Sequence, residues 1–325
     1  MVETIQSNAG AMSAVTVSAI VPTRDRPAHA LACAKAILAN DRLLELLVVD
    51  QSDSDETQQA LRGISDPRLR YLRTPTRGVG WARNLGIELS HGEVIAFTDD
   101  DCRVATNWIA QLAAIFDGEP AVSVVCGRVR VPADLQPLGF AESFQPHHRE
   151  WMGRYPGFGR DWGITANLSV RRQAIVQVGC FDVLLGAGSP LRSGGEPDFL
   201  FRALRSGAKV INAIEVQVDH LGVRAPGRES SRLMRGYGMG TGAALFKHVR
   251  LGDRDAMRVY AQFIRANAAR VLKNLLHGKG PEGLGYLAAF LYGSLASFRY
   301  RIDRRERMFV SRGEDCVADR KDWWS

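Results

Sequence analysis

Two groups of carboxylates stand out by type and spacing. The first is Asp99-Asp100-Asp101 in GEVIAFTDDDCR (92–103), where three acids in a row close an apolar run. At neutral pH such neighbours repel, and taking any one of them out of water unpaired is costly. The run therefore calls for positive charge. A helix cap accounts for one acid, since Asp101 or Thr106 can cap the helix expected from about 106; it does not account for three. Carboxylates on a turn at a strand end suit a hard divalent cation, Mg²⁺ or Mn²⁺, whose open positions can clamp a diphosphate. The second group lies in SGGEPDFLFRAL (193–204). Pro197 suits the first helical position, which sets Glu196 at a helix N-terminus. There the helix dipole keeps a carboxylate ionised and ready to accept a proton. Asp198 and Arg202 are four apart and are expected to pair on the helix surface. Simple capping is the plainer reading of Glu196 and Asp198.

The elements that must hold these groups alternate. VTVSAIVP (15–22), LLELLVVDQS (43–52), RLRYLRTP (68–75), GEVIAFTDDD (92–101) and VSVVCGRVRVP (122–132) read as strands. Between them PAHALACAKAILAN (27–40), DETQQALRGI (55–64), GWARNLGIELSHG (80–92) and TNWIAQLAAIFDG (106–118) read as helices. Such alternation predicts an α/β fold, a mainly parallel sheet flanked by helices. Ligands of these sheets gather at the carboxyl ends of the strands, where Asp50 and the Asp99–Asp101 run both fall. Residues 133–163, rich in aromatics, Gly and Pro, break the rhythm and suit either a wall over a site or a plain surface excursion. NLSVRRQAIVQVGCFD (167–182) returns to strand and helix, and VINAIEVQVDHLG (210–222) to strand. From about 230 to 312 the pattern is helical throughout. Within it GLGYLAAFLYGSLASF (283–298) is an uncharged run of 16 residues. That is short of the roughly 20 a bilayer span takes, and suits a packed or interfacial helix.

The chain of 325 residues carries a net charge of +7, unevenly spread. Residues 223–312 hold 18 Lys/Arg against 6 Asp/Glu, which points to an anionic partner for that part; membrane surface, nucleic acid and polyanionic substrate all fit on charge alone. The five cysteines include no CxxC pair, so neither a disulfide framework nor a zinc site is indicated and a reducing cytoplasm fits. Residues 1–14 lack a basic start and an apolar run, which reads as a flexible tail rather than a signal peptide.

IVPTRDRP, VVDQSDSDET, GVGWARNLGIELSHGEVIAFTDDDC, NLSVRRQAIVQVGCFD and GAGSPLRSGGEPDFLFR follow one another in an order and spacing similar to those of the family 2 glycosyltransferases. The resemblance covers about 17–222. It implies a GT-A fold over 15–222, with a nucleotide-sugar half (15–132) and an acceptor half (133–222), followed by a helical basic C-terminal region (223–325). It implies a nucleotide-diphospho-sugar donor, a hydroxyl acceptor and metal-assisted, inverting transfer. Pro22 and Thr23 match positions that cradle the base, Asp50 the one that reads a uracil-like edge, and Arg83 one facing base or phosphate. Gln51 stands where a second acid or Asn is common, which leaves the base open; UDP or dTDP is expected before a guanosine donor. Asp99, Asp100 and Asp101 match the DxD-type motif for ribose and metal-diphosphate. The family's usual GEDxD reads GGEPD here, which puts Glu196 at the base, one methylene longer than usual, with Asp198 as the fallback. His220, in VDHLG, matches a histidine that in some relatives touches metal or diphosphate. Trp162, Gly163, Thr165 and Asn167 lie where the acceptor is expected to enter, and the Trp162 face can stack on a sugar or serve as core.

Other readings account for less. A dinucleotide-dependent dehydrogenase needs a Gly-rich turn after the first strand; here the turn is PTRDRP, and Gly78-Val-Gly80 lacks the third glycine. A nucleic-acid-binding module leaves the strand-end acids unexplained. A non-catalytic nucleotide-sugar-binding relative would keep the same acids. The basic C-terminal region is then expected to touch an anionic membrane surface from the cytoplasmic side.

Overall fold

The computed structural model of the chain describes residues 14–152, 163–278 and 283–311. A run of consecutive apolar residues makes β1 (Val17–Thr23) a central strand, buried along its whole length. It pairs in parallel with β2 (Leu43–Asp50) on one side and β4 (Val94–Phe97) on the other, and β2 pairs in parallel with β3 (Leu69–Arg73). Helices α1 (Pro27–Leu38), α2 (Glu56–Leu61) and α3 (Val79–Leu89) make the crossovers. Both expected acid positions fall at one end of this four-strand parallel set. Asp50 closes β2 in register with Thr23, and the Asp99–Asp101 run follows β4.

The other half of the sheet differs from the expected parallel pattern, and the difference is what assembles the site. β5 (Cys102–Val104) follows the acid turn at once, then α4 (Trp108–Gly118), β6 (Val124–Arg130) and the short β7 (Glu150–Trp151). β8 (Leu168–Arg171) runs antiparallel between β4 and β6, then leads into α5 (Arg172–Val178) and α6 (Gly195–Arg205). β9 (Val210–His220) is parallel to β6 and antiparallel to β5. The full order is β3-β2-β1-β4-β8-β6-β9-β5, with β7 also on β9. Because β8 runs back along β4, the 3-10 turn Thr165–Asn167 that precedes it sits beside the acid turn, held by the Thr98 hydroxyl donating to the Ala166 carbonyl at 2.9 Å. Because β9 ends opposite β5, His220 is registered with Cys102.

Residues 228–311 form α7 (Arg228–Arg250), α8 (Arg254–Leu276), α9 (Leu284–Ala296) and a hairpin of β10 (Arg301–Asp303) and β11 (Met308–Val310). The expected all-helical C-terminal region is therefore corrected at its end: two three-residue strands lie where long, arginine-rich sequence hides their short apolar alternation. α9 accounts for the uncharged run. Glycines on both helices let it press on α7 backbone to backbone: a Cβ on Gly242 of α7 would collide with the Phe290 carbonyl, and one on Gly293 of α9 with the Met239 carbonyl. Among the described residues no helix is long and apolar enough to cross a membrane.

This region is fastened to the sheet domain by a buried charge cluster. Lys247 of α7, with no exposed side-chain surface, bridges Asp182 and Asp198 at 2.6 Å each. Asp198 also pairs with Arg202 at 3.0 Å and accepts a hydrogen bond from His248 Nε2 at 2.9 Å. The backbone N–H of Phe309, in β11, donates to Asp182 at 2.8 Å.

Candidate active site

The acid turn distributes its three side chains in three directions. Asp100 points inward: its Oδ2 accepts from the Thr23 hydroxyl at 2.7 Å and its Oδ1 from Arg26 Nη1 at 3.0 Å. Asp101 shares the same Arg26 nitrogen at 3.1 Å and meets His220 Nε2 at 3.3 Å. Asp99 turns the other way, toward Arg83 at 3.0 Å. The positive charge that the run demands is thus supplied from three separate elements, the start of α1, the middle of α3 and the end of β9.

These environments move the carboxyls apart. Burial, with Asp101 as a neighbour, raises Asp100 against the pull of Arg26 and Thr23. Burial would also raise Asp101, but His220 and Arg26 outweigh it and hold it at about 2. Asp99 is raised by desolvation against the opposing charge of Arg83, with Asp101 and Glu196 adding to the rise. Desolvation would lower His220, yet Asp101 and the carbonyl of Glu142 raise it to about 9. That carbonyl accepts from His220 Nδ1 at 2.7 Å, which turns Nε2 toward Asp101.

Arg83 joins this cluster to the second one. Its guanidinium, almost wholly buried, lies 3.0 Å from Asp99 and 3.6 Å from Glu196. Glu196 sits in the first turn of α6, which begins at Gly195, two residues ahead of the expected Pro197 start. Its Oε1 accepts from the Thr165 hydroxyl at 2.5 Å. A cavity of about 810 Å³ opens from Glu196, with Glu142, Tyr237 and Ser193 near it and Leu245, Phe263 and Tyr286 of the C-terminal helices beyond. Burial, then Glu196 and Asp99, push the Glu142 carboxyl up to about 7.

Several expected positions lie elsewhere. Asp198 is excluded as a fallback base, and its pairing with Arg202 is not a surface contact: it is buried, with Lys247, Arg202 and His248 around it. Burial would raise its carboxyl, but those three groups hold it far below the usual range. Asp50 is fully buried, and its oxygens are taken by the Ser52 N–H and hydroxyl (2.8 and 2.5 Å) and the Tyr71 hydroxyl (2.7 Å). The protein's own donors thus hold the Asp50 carboxylate in place, with Oδ2 accepting from Tyr71. Pro22 is buried at the end of β1 beside Thr23. Asn167 is a buried staple, accepting from Trp108 Nε1 at 2.9 Å and donating to the carbonyls of Arg128 and Val216. Trp162 lies outside the described residues.

Sequence reasoning missed Arg26, Glu142, Tyr237 and Gly222. A Cβ on Gly222 would come within 2.2 Å of Asp101 Oδ2 and 3.2 Å of His220 Nε2. The glycine two places after His220 was its only signal. Arg26 was visible in PTRDRP as a cation directly after β1.

The donor set suits a hard cation. Carboxylate and imidazole atoms of Asp101 and His220 lie together, and Cys102 Sγ falls within the same 4.8 Å cluster. Burial and the neighbouring acids push the Cys102 thiol well up, so it stays protonated and soft, a poor partner for Mg²⁺ or Mn²⁺. The carbonyl of Glu142 on Nδ1 is the outer contact that orients a histidine ligand.

Residues 18–179 match the family model for glycosyl transferase family 2. A glucosyl-dolichyl phosphate glucuronosyltransferase of Haloferax volcanii is 28% identical over 191 residues, 54% of this chain and 59% of that protein. Glycosyltransferase AglE of the same organism is 27% identical over 216 residues, 62% and 65% of the two chains. The chain thus spans less than two thirds of the length of either relative. Among solved structures, the mannosyltransferase PcManGT from Pyrobaculum calidifontis in complex with GDP-Man and Mn²⁺ superposes with a TM-score of 0.58, 17% identity and 87% of both chains covered. S. aureus TarS (1–349) gives 0.52 at 15% identity, covering 77% of this chain and 70% of that one. These likenesses establish the fold as GT-A.

Proposed function

We infer, from the premise that the chain belongs to glycosyl transferase family 2, that it moves a sugar from a nucleoside-diphosphate donor to a hydroxyl acceptor with inversion at the sugar carbon. The observation that carries this reading is the Arg83 bridge. One guanidinium lies against Asp99 of the acid turn and against Glu196 at the head of the cavity, so the donor-side acids and a proton acceptor face a common space.

In this reading Glu196 takes the proton of the acceptor hydroxyl. Thr165 occupies Oε1, which leaves Oε2 toward the acceptor and fixes the carboxylate in one orientation. A positioned base of this kind contributes about 10²–10⁴-fold in rate. Arg83 keeps Glu196 close to the acid turn and contributes positive charge near the departing diphosphate. Asp101 and His220 would hold Mg²⁺ or Mn²⁺, with Asp99 beside them, once His220 has released the Nε2 proton it directs at Asp101, and that cation would supply stabilisation of the leaving group's negative charge. A single base opposite the leaving group favours attack from the far face, hence inversion. Assignment of the product anomer by NMR tests this; a retained configuration would remove it.

The donor is proposed to be a UDP or dTDP sugar, with a GDP sugar as the competitor that PcManGT's bound GDP-Man makes worth testing. A thermal-shift panel of nucleoside diphosphates with and without Mn²⁺ decides. A Mn²⁺-dependent rise with one of them, lost in Asp101→Ala, is expected; binding at a hundred times the dissociation constant stabilises by about 2.7 kcal/mol. No metal-dependent rise with any diphosphate would refute the donor site.

The acceptor hydroxyl is carried on a glycan, a lipid or a small molecule. Peripheral contact with an anionic bilayer is supported by Leu291 and Leu295 of α9, Phe298 just after it, and Leu272 and Leu276 of α8, all exposed, in a strongly basic region. Co-sedimentation with anionic vesicles should fall in Leu295→Glu/Phe298→Glu, and unchanged binding would exclude this face.

A further inference from the structure

A second cavity, of about 770 Å³, adjoins the first through Tyr237, which lines both. Four arginines line it, Arg77, Arg192, Arg224 and Arg232, against one acid, Glu229. Arg77 is neutralised by Asp53 and donates to the Gln51 carbonyl. Arg192, Arg224 and Arg232 have no ion-pair partner among the described residues.

These three do not come from a charged run in the sequence. Arg192 belongs to the loop before α6, Arg224 to the link between β9 and α7, and Arg232 to the start of α7. The fold brings them together, and like charges converge at a cost unless an anion meets them. Arg192 is held in the left-handed region at φ +67°, a strained conformation for a residue with a side chain. Its stem runs beside Gly236 of α7. Several guanidiniums on the wall of one cavity suit a multiply charged oxyanion such as a phosphate better than a neutral group. The cavity contains none of Asp99, Asp100 or Asp101, so it is not the acid turn's diphosphate position.

We propose that this arginine-lined cavity binds the phosphate of a phosphorylated acceptor, holding it across Tyr237 from the cavity headed by Glu196. The acceptor role rests on the glycosyltransferase reading above; the phosphate site itself does not. The phosphate can belong to a soluble ester or to an apolar-tailed one, and the floor of Leu245, Phe263 and Tyr286 in the neighbouring cavity has room for a tail.

The test is calorimetric titration of the full chain, in EDTA, with phenyl phosphate and with octyl phosphate below its micelle concentration. The comparison is Arg192→Ser/Arg232→Ser, whose side chains are exposed, so folding is preserved and is verified by its unfolding temperature. Saturable binding that weakens about tenfold or more in the double variant, while Mn²⁺-dependent nucleoside-diphosphate binding is unchanged, is the expected result. Octyl phosphate binding much tighter than phenyl phosphate assigns an apolar-tailed acceptor; equal affinities assign a soluble one. Absence of saturable binding, equal binding in both proteins, or displacement of phenyl phosphate by Mn²⁺ with a nucleoside diphosphate overturns the proposal. Arginine-dependent phosphate binding without any nucleoside-diphosphate response would leave the phosphate site standing and sink the donor reading instead.

Discussion

Glu196 and Asp198 stand two residues apart in the same turn of α6, yet they belong to opposite kinds of chemistry. Two residues along a helix turn about 200° around its axis, so one carboxylate faces the open cavity and the other faces α7. Glu196 is partly exposed, 23% of its side chain, with the Thr165 hydroxyl and the Arg83 guanidinium, 3.6 Å away, for company. Asp198 is buried and meets Lys247, Arg202 and His248. The same contrast separates the whole acid turn from the Asp182–Asp198 cluster. Around the first, carboxylates gather faster than cations, and Asp99, Asp100 and Glu142 all sit above their ordinary range. In the second the buried acids are matched and the region is sealed. A surplus of one sign at an accessible edge marks a place for a ligand, whereas balanced burial marks a fastening.

Substitutions on the two sides should separate cleanly. The largest effect is expected from Glu196→Gln: a fall in kcat of about 10²–10⁴-fold with the unfolding temperature unchanged or raised, since one of several like charges is removed. Steady-state kinetics beside a melting curve checks it, and a loss of activity that merely tracks a lower melting temperature would break the contrast. Lys247→Met should do the reverse. Leaving Asp182 and Asp198 short of a partner should cost about 3–5 kcal/mol of stability, read by urea unfolding, while the activity of each molecule still folded is kept. Gly222→Ala probes the site without touching a charge. Its Cβ must displace Asp101, so a loss of up to about 10²-fold in kcat/KM is expected with little change in stability.

The smallest effect is on pH dependence and belongs to the fastening. Burial lowers His248 to about 4 against the pull of Asp198, whereas an unfolded histidine titrates near about 6.5. Below about pH 6.5 the unfolded chain therefore binds the extra proton, and stability falls as pH drops toward 4. Asp198 is displaced downward, so its contribution is present above the ordinary aspartate range and is lost only at lower pH. A drop of several degrees in melting temperature between pH 7 and 5, removed in His248→Gln, is the expected outcome; an unchanged pH profile in that variant would assign the acid sensitivity elsewhere.

Much of the site was legible from residue types. The strand-end acids, the helix-start Glu196 and the alternating elements follow from local pattern, because a parallel strand buried on both faces must be a continuous apolar run and its polar residues collect at the ends. Asp50 and Asp198 each have protein partners that local pattern does not show. A carboxylate at a strand end or helix start looks the same in sequence whether its partners are a ligand or the protein's own Tyr71 and Lys247.

The sequence by itself determined the α/β layout, the acid turn after β4 and the carboxylate that opens α6, all of which depend on neighbours within a few residues. Only the tertiary structure decided which acids remained open. The antiparallel return of β8, the end of β9 against β5 and the packing of α7 bring Thr165, His220, Lys247 and the arginines of the second cavity from distant positions. Burial and charge pairing are properties of that assembled neighbourhood, so no local pattern carries them.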